Sequence, residues 1–337
     1  MIQKDVVADD CRMFSLVKGS DVKKTHLYGP VPSRRLGLSL GVDLVPFKVC
    51  SFDCIYCQLG RTTEKTIHRE SFFTPDTILQ QIRGRLKEGL QTDYISFSGS
   101  GEPTLNADLG WLIREVKEMT QVPVAVITNS SLLWDPGVQT ELLAADLVMP
   151  SLDAGSPKVF HTVNRPHSSL TAGKIVDGLV EFRSRYGGRM RLEILLMDGI
   201  NAIPEELEKL RALVGRIEPD GIDLNTVARP PAEAFAKSLS YERLEEIRDF
   251  FGRGAEIVFR PPLLRRAGSS HQLGAAILEM VERRPCTIED LSRALNVHRY
   301  EAVKFVGALV QEGRLMEKRH GGGTFFVTVE GNGGKRH

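Results

Sequence analysis

The 337-residue sequence has little net charge and no long apolar run. Its 44 Lys and Arg nearly balance its 43 Asp and Glu, and the formal net charge is +1. Charge alone therefore does not favour a nucleic acid, an anionic membrane or an acidic substrate as a partner. No stretch approaches the roughly 18 apolar residues of a transmembrane helix. The N-terminal MIQKDVVADD carries charges where a secretory signal needs apolar residues, so we expect a cytoplasmic protein.

Cysteine is also scarce, and its number is odd. The five residues are Cys11, Cys50, Cys54, Cys57 and Cys286, with three of them inside eight positions. A disulfide framework fits neither this spacing nor a reducing cytoplasm. The cluster of three therefore indicates metal or redox chemistry.

Six apolar, strand-like runs alternate with amphipathic helical stretches. The strand-like runs are 37–45, 93–98, 123–128, 146–152, 190–197 and 221–227. The helical stretches are 75–90, 107–120, 132–144, 169–185, 203–216 and 240–251, and prolines at Pro75 and Pro204 are typical of helix starts. This alternation predicts an α/β fold with a parallel sheet and right-handed crossovers. Six units suit an open or closed β/α barrel, and a Rossmann-like open sheet is the alternative.

The pattern changes near residue 263. PPLLRRAGSS is typical of a linker, and three helices followed by a hairpin around residues 321–323 predict a winged helix-turn-helix. We expect an N-terminal extension at 1–27, a core at 28–262, a linker at 263–270, a winged-helix domain at 271–331 and a disordered tail at 332–337. Residues 271–337 hold ten Lys and Arg against eight Asp and Glu. This excess is small for phosphate binding, so DNA, RNA, protein and peptide all stay open as partners.

The segment Cys50-Ser-Phe-Asp-Cys54-Ile-Tyr-Cys57 is a CxxxCxxC motif directly after the first strand. Thiolates select iron–sulfur clusters or zinc. A structural zinc site or an electron-transfer cluster needs four protein ligands, whereas three cysteines on a cubane cluster leave one iron open for chemistry. Zinc and a redox-only cluster remain the alternatives.

With Tyr56 before its last cysteine, this motif resembles that of the radical S-adenosylmethionine (SAM) superfamily. The resemblance implies a partial (β/α)6 barrel and a [4Fe–4S] cluster on Cys50, Cys54 and Cys57. It also implies that SAM binds the open iron and is reductively cleaved to a 5′-deoxyadenosyl radical. The electron would come from a low-potential donor such as a flavodoxin or a ferredoxin.

A second motif follows the second strand, at Gly99-Ser-Gly-Glu-Pro-Thr104. It is similar to the GGEP motif that binds the SAM amino group in the family, with Ser100 replacing the first glycine. The resemblance assigns SAM binding to the loop formed by Ser100, Gly101, Glu102 and Pro103. The alternative for Glu102 is a helix cap in an ordinary turn.

Further candidates stand where later strands end, since functional residues gather at the C-terminal mouth of a β/α barrel. By resemblance to the family, Asn129, Ser151 and Asp153 would contact the SAM carboxylate or ribose, and Tyr56 would contact adenine. Turn and cap roles, and simple packing for Tyr56, are the alternatives.

Residues 28–231 also resemble the tRNA wyosine synthetases, from YGPVPSRRLGLSLGVD through the cysteine loop to SGSGEPTL and LNTVARPP. The resemblance offers an RNA base as one candidate substrate, and a protein or a small molecule stays open. Those enzymes carry further cysteines for a second cluster and a pyruvate-binding lysine, whereas this chain offers only Cys11 and Cys286 and no matching lysine. Asn225 and Arg229 could reach substrate, although Arg229 could equally be a solvated surface residue. Arg34 and Arg35 are expected to anchor the N-terminal segment rather than an anionic substrate.

A different class of function also fits a cluster joined to a winged helix. The chain could be a redox-sensing, DNA-binding regulator. The Gly101-Glu102-Pro103 turn argues for the enzyme, because a sensor needs no site for the SAM amino group.

Overall fold

The computed structural model describes most of the chain. The described residues are 25–33, 35–258, 270–295, 297 and 299–329. Cys11, Arg34, and most of the predicted extension, linker and tail lie outside them. The domain boundaries at those positions stay predictions.

The elements follow the predicted alternation closely. The described strands are β1 (Leu27–Ser33), β2 (Gly37–Val42), β3 (Val49–Cys50), β4 (Glu64–Lys65), β5 (Tyr94–Phe97), β6 (Val124–Thr128), β7 (Leu147–Pro150), β8 (Arg189–Leu196), β9 (Gly221–Thr226), β10 (Ala255–Ile257), β11 (Leu315–His320) and β12 (Gly323–Thr328). The described helices are α1 (Pro75–Lys87), α2 (Leu109–Met119), α3 (Pro136–Leu142), α4 (Pro157–Val163), α5 (Ala172–Arg185), α6 (Pro204–Ile217), α7 (Tyr241–Phe251), α8 (Ser270–Arg283), α9 (Ile288–Leu295) and α10 (Arg299–Gln311), with a 3-10 helix at Pro103–Leu105. In this described part of the chain, no helix has the length and apolar character that a bilayer crossing requires.

The central sheet has eight strands in the order β1-β2-β5-β6-β7-β8-β9-β10. β1 runs antiparallel to β2, and every later neighbouring pair is parallel. Because each parallel strand lies beside its predecessor, right-handed crossovers place the connecting helices on one face of the sheet. A Rossmann-like sheet needs a reversal of strand order, and the described strands contain none. The topology therefore excludes that alternative and fits the predicted partial barrel.

The two faces of the sheet bury different sets of side chains. Val126 of β6 faces the helices and belongs to the main hydrophobic core. Its neighbours Ala125 and Ile127 point the other way and pack with Met149 of β7 and with Leu36. Alternate residues of a strand face opposite sides, so this second cluster lines the inside of the barrel.

Both proline-marked helix starts are confirmed. α1 begins at Pro75 and α6 at Pro204, where the missing N–H and fixed φ of proline suit the first helical position. Asn201, just before α6, has another role: its amide donates to the carbonyl oxygens of Asp153 and Leu195 at 2.8 and 2.7 Å. This side chain joins the loops that follow β7 and β8.

The described residues from 270 to 329, called the C-terminal module below, form a three-helix unit with a hairpin. β11 and β12 pair antiparallel, and Cys286, between α8 and α9, exchanges two backbone hydrogen bonds with Phe326. The module has its own hydrophobic core, which includes Ile277 and Val306, and Val31 of β1 packs against it. The module therefore docks on the antiparallel edge strand of the barrel.

Two arginines fasten the C-terminal module to the barrel. Arg283 lies 3.4 Å from an Asp43 carboxylate oxygen and also donates to the Leu27 carbonyl oxygen. Arg229, which follows β9, donates to the Pro285 carbonyl oxygen at 3.1 Å. The expectation that Arg229 could be solvated is wrong, because its side chain is only 11% exposed.

Candidate active site

The three clustered cysteines lie in the loop that follows β2, at the C-terminal end of the parallel strands. The Cys57 N–H donates to the Cys54 carbonyl oxygen and the Gly60 N–H to that of Cys57, so the loop folds back on itself. β3, which ends at Cys50, pairs with β4 and holds the start of the loop. This fold keeps the three thiols half-buried at the mouth of the barrel.

Each thiol has a nitrogen donor beside it. The Asn129 amide nitrogen lies 3.5 Å from Cys50 Sγ, and the Asn164 amide nitrogen lies 3.6 Å from Cys54 Sγ. Lys48 Nζ lies 3.2 Å from Cys57 Sγ. Hydrogen bonds to ligand sulfurs are a principal means by which proteins set the properties of iron–sulfur clusters. Asn164 and Lys48 could not be recognised from the sequence, because neither belongs to a motif.

The surroundings of these thiols suit metal ligands. Burial, reinforced by the negative charge of Glu102, raises the pKa of Cys50 to about 12. Burial likewise raises the pKa of Cys54 well above its ordinary value, with Asp153 as the next cause. Thiolates in such a setting need the positive charge of bound iron, and the residues fit a cluster in this sense. Among the described residues no group of three His, Cys, Asp or Glu side chains is arranged to hold a single metal ion. A cubane cluster does not require that, since each cysteine binds a different iron.

The loop at residues 99–104 lies directly against the cysteine loop. The Lys48 N–H donates to the Ser100 carbonyl oxygen at 2.8 Å, and the Glu102 N–H donates to that of Val49 at 3.3 Å. At Gly101 a Cβ atom would stand 1.9 Å from the Val49 carbonyl oxygen. Only glycine allows this approach.

We expect Gly101→Ala to disturb both loops at once. The added methyl group would force backbone atoms apart, and overpacking of this kind costs about 1–3 kcal/mol. Chemical denaturation should show this loss, and anaerobic reconstitution should show reduced iron uptake. Gly84→Ala in α1 is the matched control. A Cβ there meets open space, and alanine is favoured in a helix by about 1 kcal/mol. Equal stability and iron content in the two variants would contradict the packing argument.

Glu102 is buried and caps the 3-10 helix that follows it. Its Oε1 accepts from the Thr104 N–H and from the hydroxyls of Thr104 and Thr128, and its Oε2 accepts from the Asn129 N–H at 2.7 Å. Burial raises the pKa of Glu102, and the hydrogen bonds oppose this rise. The cap that the sequence left as an alternative is therefore present, and the second carboxylate oxygen of Glu102 fixes the backbone of Asn129 beside Cys50. Pro103 fills the first position of the same 3-10 helix.

Ser100 and Asn129 make contacts that the motif alone did not predict. Ser100 donates through its hydroxyl and its N–H to the Asp43 carboxylate, the group that Arg283 also contacts. The Asn129 amide donates to Ser51 Oγ at 2.9 Å as well as approaching Cys50. The structure thus places Asn129 against the cysteine loop, while its contact with SAM stays a prediction.

Tyr56 and Asp153 are brought together, as are Asp153 and Asn164. The Tyr56 hydroxyl donates to Asp153 Oδ2 at 2.5 Å, and the Asn164 amide donates to the same oxygen at 2.8 Å. Oδ1 accepts from the Leu195 N–H. Burial raises the pKa of Asp153, against these hydrogen bonds. Asp153 thus orients Tyr56 and the amide that reaches Cys54.

The remaining candidates lie further round the barrel mouth. Ser151 is half-buried, and its carbonyl oxygen accepts a hydrogen bond from the Ser130 hydroxyl. The Asn225 amide donates to Glu193 Oε1 at 2.9 Å, and Glu193 also forms an ion pair with Arg35. This supports the anchoring role expected of Arg35.

Comparison with known proteins identifies the family. A family model described as the Radical SAM superfamily matches residues 44–214, which include the three cysteines and the SGSGEP loop. The chain belongs to the radical SAM superfamily. Radical SAM proteins use a [4Fe–4S] cluster and SAM and generally need a reductant such as flavodoxin or ferredoxin, and the match indicates an enzyme of this type.

Relatives from several organisms extend the match beyond the radical SAM core. A UPF0026 protein of Methanocaldococcus jannaschii is 32% identical over 319 residues, covering 90% of this chain and 96% of that protein. A Brachyspira hyodysenteriae protein named GTPase Obg is 36% identical over 302 residues, which are 89% of this chain and 44% of that protein. The chain thus spans less than half of the Brachyspira relative.

A solved radical SAM methyltransferase from Sphaerobacter thermophilus has a similar fold. It matches with a TM-score of 0.51 at 18% identity, over 65% of each chain. These comparisons support the α/β radical SAM fold. They give no support to a DNA-binding regulator.

Proposed function

We propose that the chain binds a [4Fe–4S] cluster through Cys50, Cys54 and Cys57 and binds SAM between that cluster and the loop at 99–104. When bound, the cluster supplies the electron that cleaves SAM to a 5′-deoxyadenosyl radical. The observation that carries the proposal is the close packing of the 99–104 loop onto the cysteine loop, with Gly101 at the contact. A ligand of the open iron would lie beside this loop.

The protein's own residues hold this arrangement in place. Asn129, Asn164 and Lys48 donate N–H groups toward the three thiols. Two of these donors are held by buried carboxylates: Glu102 accepts from the Asn129 N–H, and Asp153 accepts from the Asn164 amide. Such support fixes the position of the cluster ligands, which is the contribution that a protein makes to cofactor chemistry.

We further propose that the C-terminal module, as a winged helix, completes the substrate site. A cavity of about 570 Å³ lies between the end of β9, the start of α9 and residues 320–326 of the β11–β12 hairpin. Arg229 connects this region to the cysteine loop, since it lies 3.4 Å from the side-chain oxygen of Gln58, next to Cys57. A substrate in the cavity would therefore border the loop that holds the cluster.

The resemblance to the wyosine branch suggests an RNA base as the candidate substrate. The two-carbon transfer of that branch is not part of the proposal, because it needs a second cluster. Cys286 is fully buried in the core of the C-terminal module, so its thiol is badly placed to bind one. The proposal is therefore a radical modification that uses one cluster.

The proposal is tested by anaerobic incubation of the reconstituted protein with SAM and dithionite. We expect 5′-deoxyadenosine and methionine to form, and the yield to rise when RNA that contains the substrate is added. Cys54→Ala is the matched control and should give neither product. A cluster-loaded protein that leaves SAM intact would overturn the proposed function.

A further inference from the structure

Lys48 occupies an unusual position beside the cysteine loop. It is 3% exposed, although lysine is rarely buried without a partner. Its ammonium nitrogen lies 3.2 Å from Cys57 Sγ. Of the three donors to the thiols, Asn129 and Asn164 are neutral amides, and Lys48 is the one that can bring a full positive charge.

The backbone holds Lys48 in place from two sides. Its N–H donates to the Ser100 carbonyl oxygen, and its own carbonyl oxygen accepts from the N–H groups of Thr63 and Glu64. Its φ is +61°, a left-handed conformation that is uncommon for a residue other than glycine, asparagine or aspartate. Strained backbone of this kind persists where the surroundings enforce it, and it gathers at functional sites. The side chain is thus aimed at Cys57 by a fixed main chain.

We propose that Lys48 is a positioning residue that raises the reduction potential of the cluster. This inference rests on the proposed function, because it requires the cluster on the three cysteines. Reduction adds one electron and one negative charge to the cluster without breaking a bond. A positive charge at hydrogen-bond distance from a ligand sulfur stabilises the more negative form, and burial weakens the screening of this attraction. The chain thereby eases electron entry from its donor.

The test compares three variants with the wild-type protein. Lys48→Met keeps the length of the side chain and removes the charge, and Lys48→Arg keeps the charge. Lys65→Met removes an exposed lysine on the neighbouring strand β4 and is the matched control, since exposed charges are largely screened by salt. Each protein is reconstituted anaerobically at one pH. It is then reduced stepwise with dithionite, which is oxidised to sulfite, while electron paramagnetic resonance follows the reduced cluster.

We expect Lys48→Met to hold its iron and to lower the equilibrium constant for reduction about tenfold, a shift of about 59 mV for one electron. Lys48→Arg and Lys65→Met should stay close to wild type. An unchanged potential in an iron-loaded Lys48→Met protein would overturn the inference and leave the proposed function intact. A wild-type chain that binds no cluster would overturn both.

If Lys48→Met does not take up iron, the potential is measured in Lys48→Gln instead. Glutamine restores an N–H donor without the positive charge. A lowered potential in this variant supports the inference. A wild-type potential, or no iron uptake here either, would show that Lys48 serves cluster assembly and would overturn the role in potential.

Discussion

Alanine at any one of Cys50, Cys54 and Cys57 is expected to abolish cluster binding. A cubane cluster with one open iron depends on three protein thiolates, and the loss of one leaves two. Wild-type protein reconstituted anaerobically should contain about four irons per chain, and each variant should contain almost none. Iron analysis and the visible absorption of the cluster measure this directly.

The remaining cysteines provide the control. Cys286 lies in the hydrophobic core of the C-terminal module, so the double variant Cys11→Ala, Cys286→Ala should keep its iron. Loss of a second cluster's iron in that double variant would instead support a wyosine-type function with two clusters. A single, oxygen-insensitive zinc ion in the wild-type protein would contradict the cluster itself.

Glu102→Gln is expected to weaken both the fold and SAM binding. Backbone N–H groups of Thr104 and Asn129 face the two carboxylate oxygens. Either orientation of a glutamine amide therefore sets an NH2 group against a backbone donor. A buried donor left without an acceptor costs about 1–3 kcal/mol, which chemical denaturation should detect. If Glu102 also receives the SAM ammonium, SAM affinity should fall about tenfold to a hundredfold.

Thr128→Val separates the two effects. It removes one hydrogen bond to Glu102 and leaves the carboxylate charge in place, so it should lower stability with little change in SAM affinity. The cluster should assemble in both variants, because Glu102 is not a ligand. Unchanged SAM affinity in folded, cluster-loaded Glu102→Gln would leave Glu102 as a cap alone.

The barrel could be predicted from the sequence because its strands are short apolar runs between clear helix starts. β1 could not, since its sequence LYGPVPS holds two prolines and a glycine. An edge strand tolerates these residues where a central strand would not. β10 could not be predicted either, because three residues are too few to show the alternating pattern of a strand.

The candidate site could be predicted only where its residues form a local motif with a characteristic spacing. The cysteine motif and SGSGEP are local, so both were visible. Asn164 and Cys54 lie 110 positions apart in the sequence, and no sequence pattern predicts their contact. For Glu102 the sequence offered a SAM contact and a cap as alternatives, and only the packing of Thr104 and Thr128 shows that the cap exists.

The bonds of Arg283 constrain how the enzyme is made. Arg283 joins Leu27, 256 residues earlier, and Asp43, 240 residues earlier. The chain is synthesised from its N-terminus, so the last barrel strand, β10, is made before Arg283. Until then Asp43, which holds Ser100, lacks the guanidinium group of Arg283 that contacts it in the folded chain. We therefore expect a chain that ends before α8 to take up less iron than the full-length chain on anaerobic reconstitution.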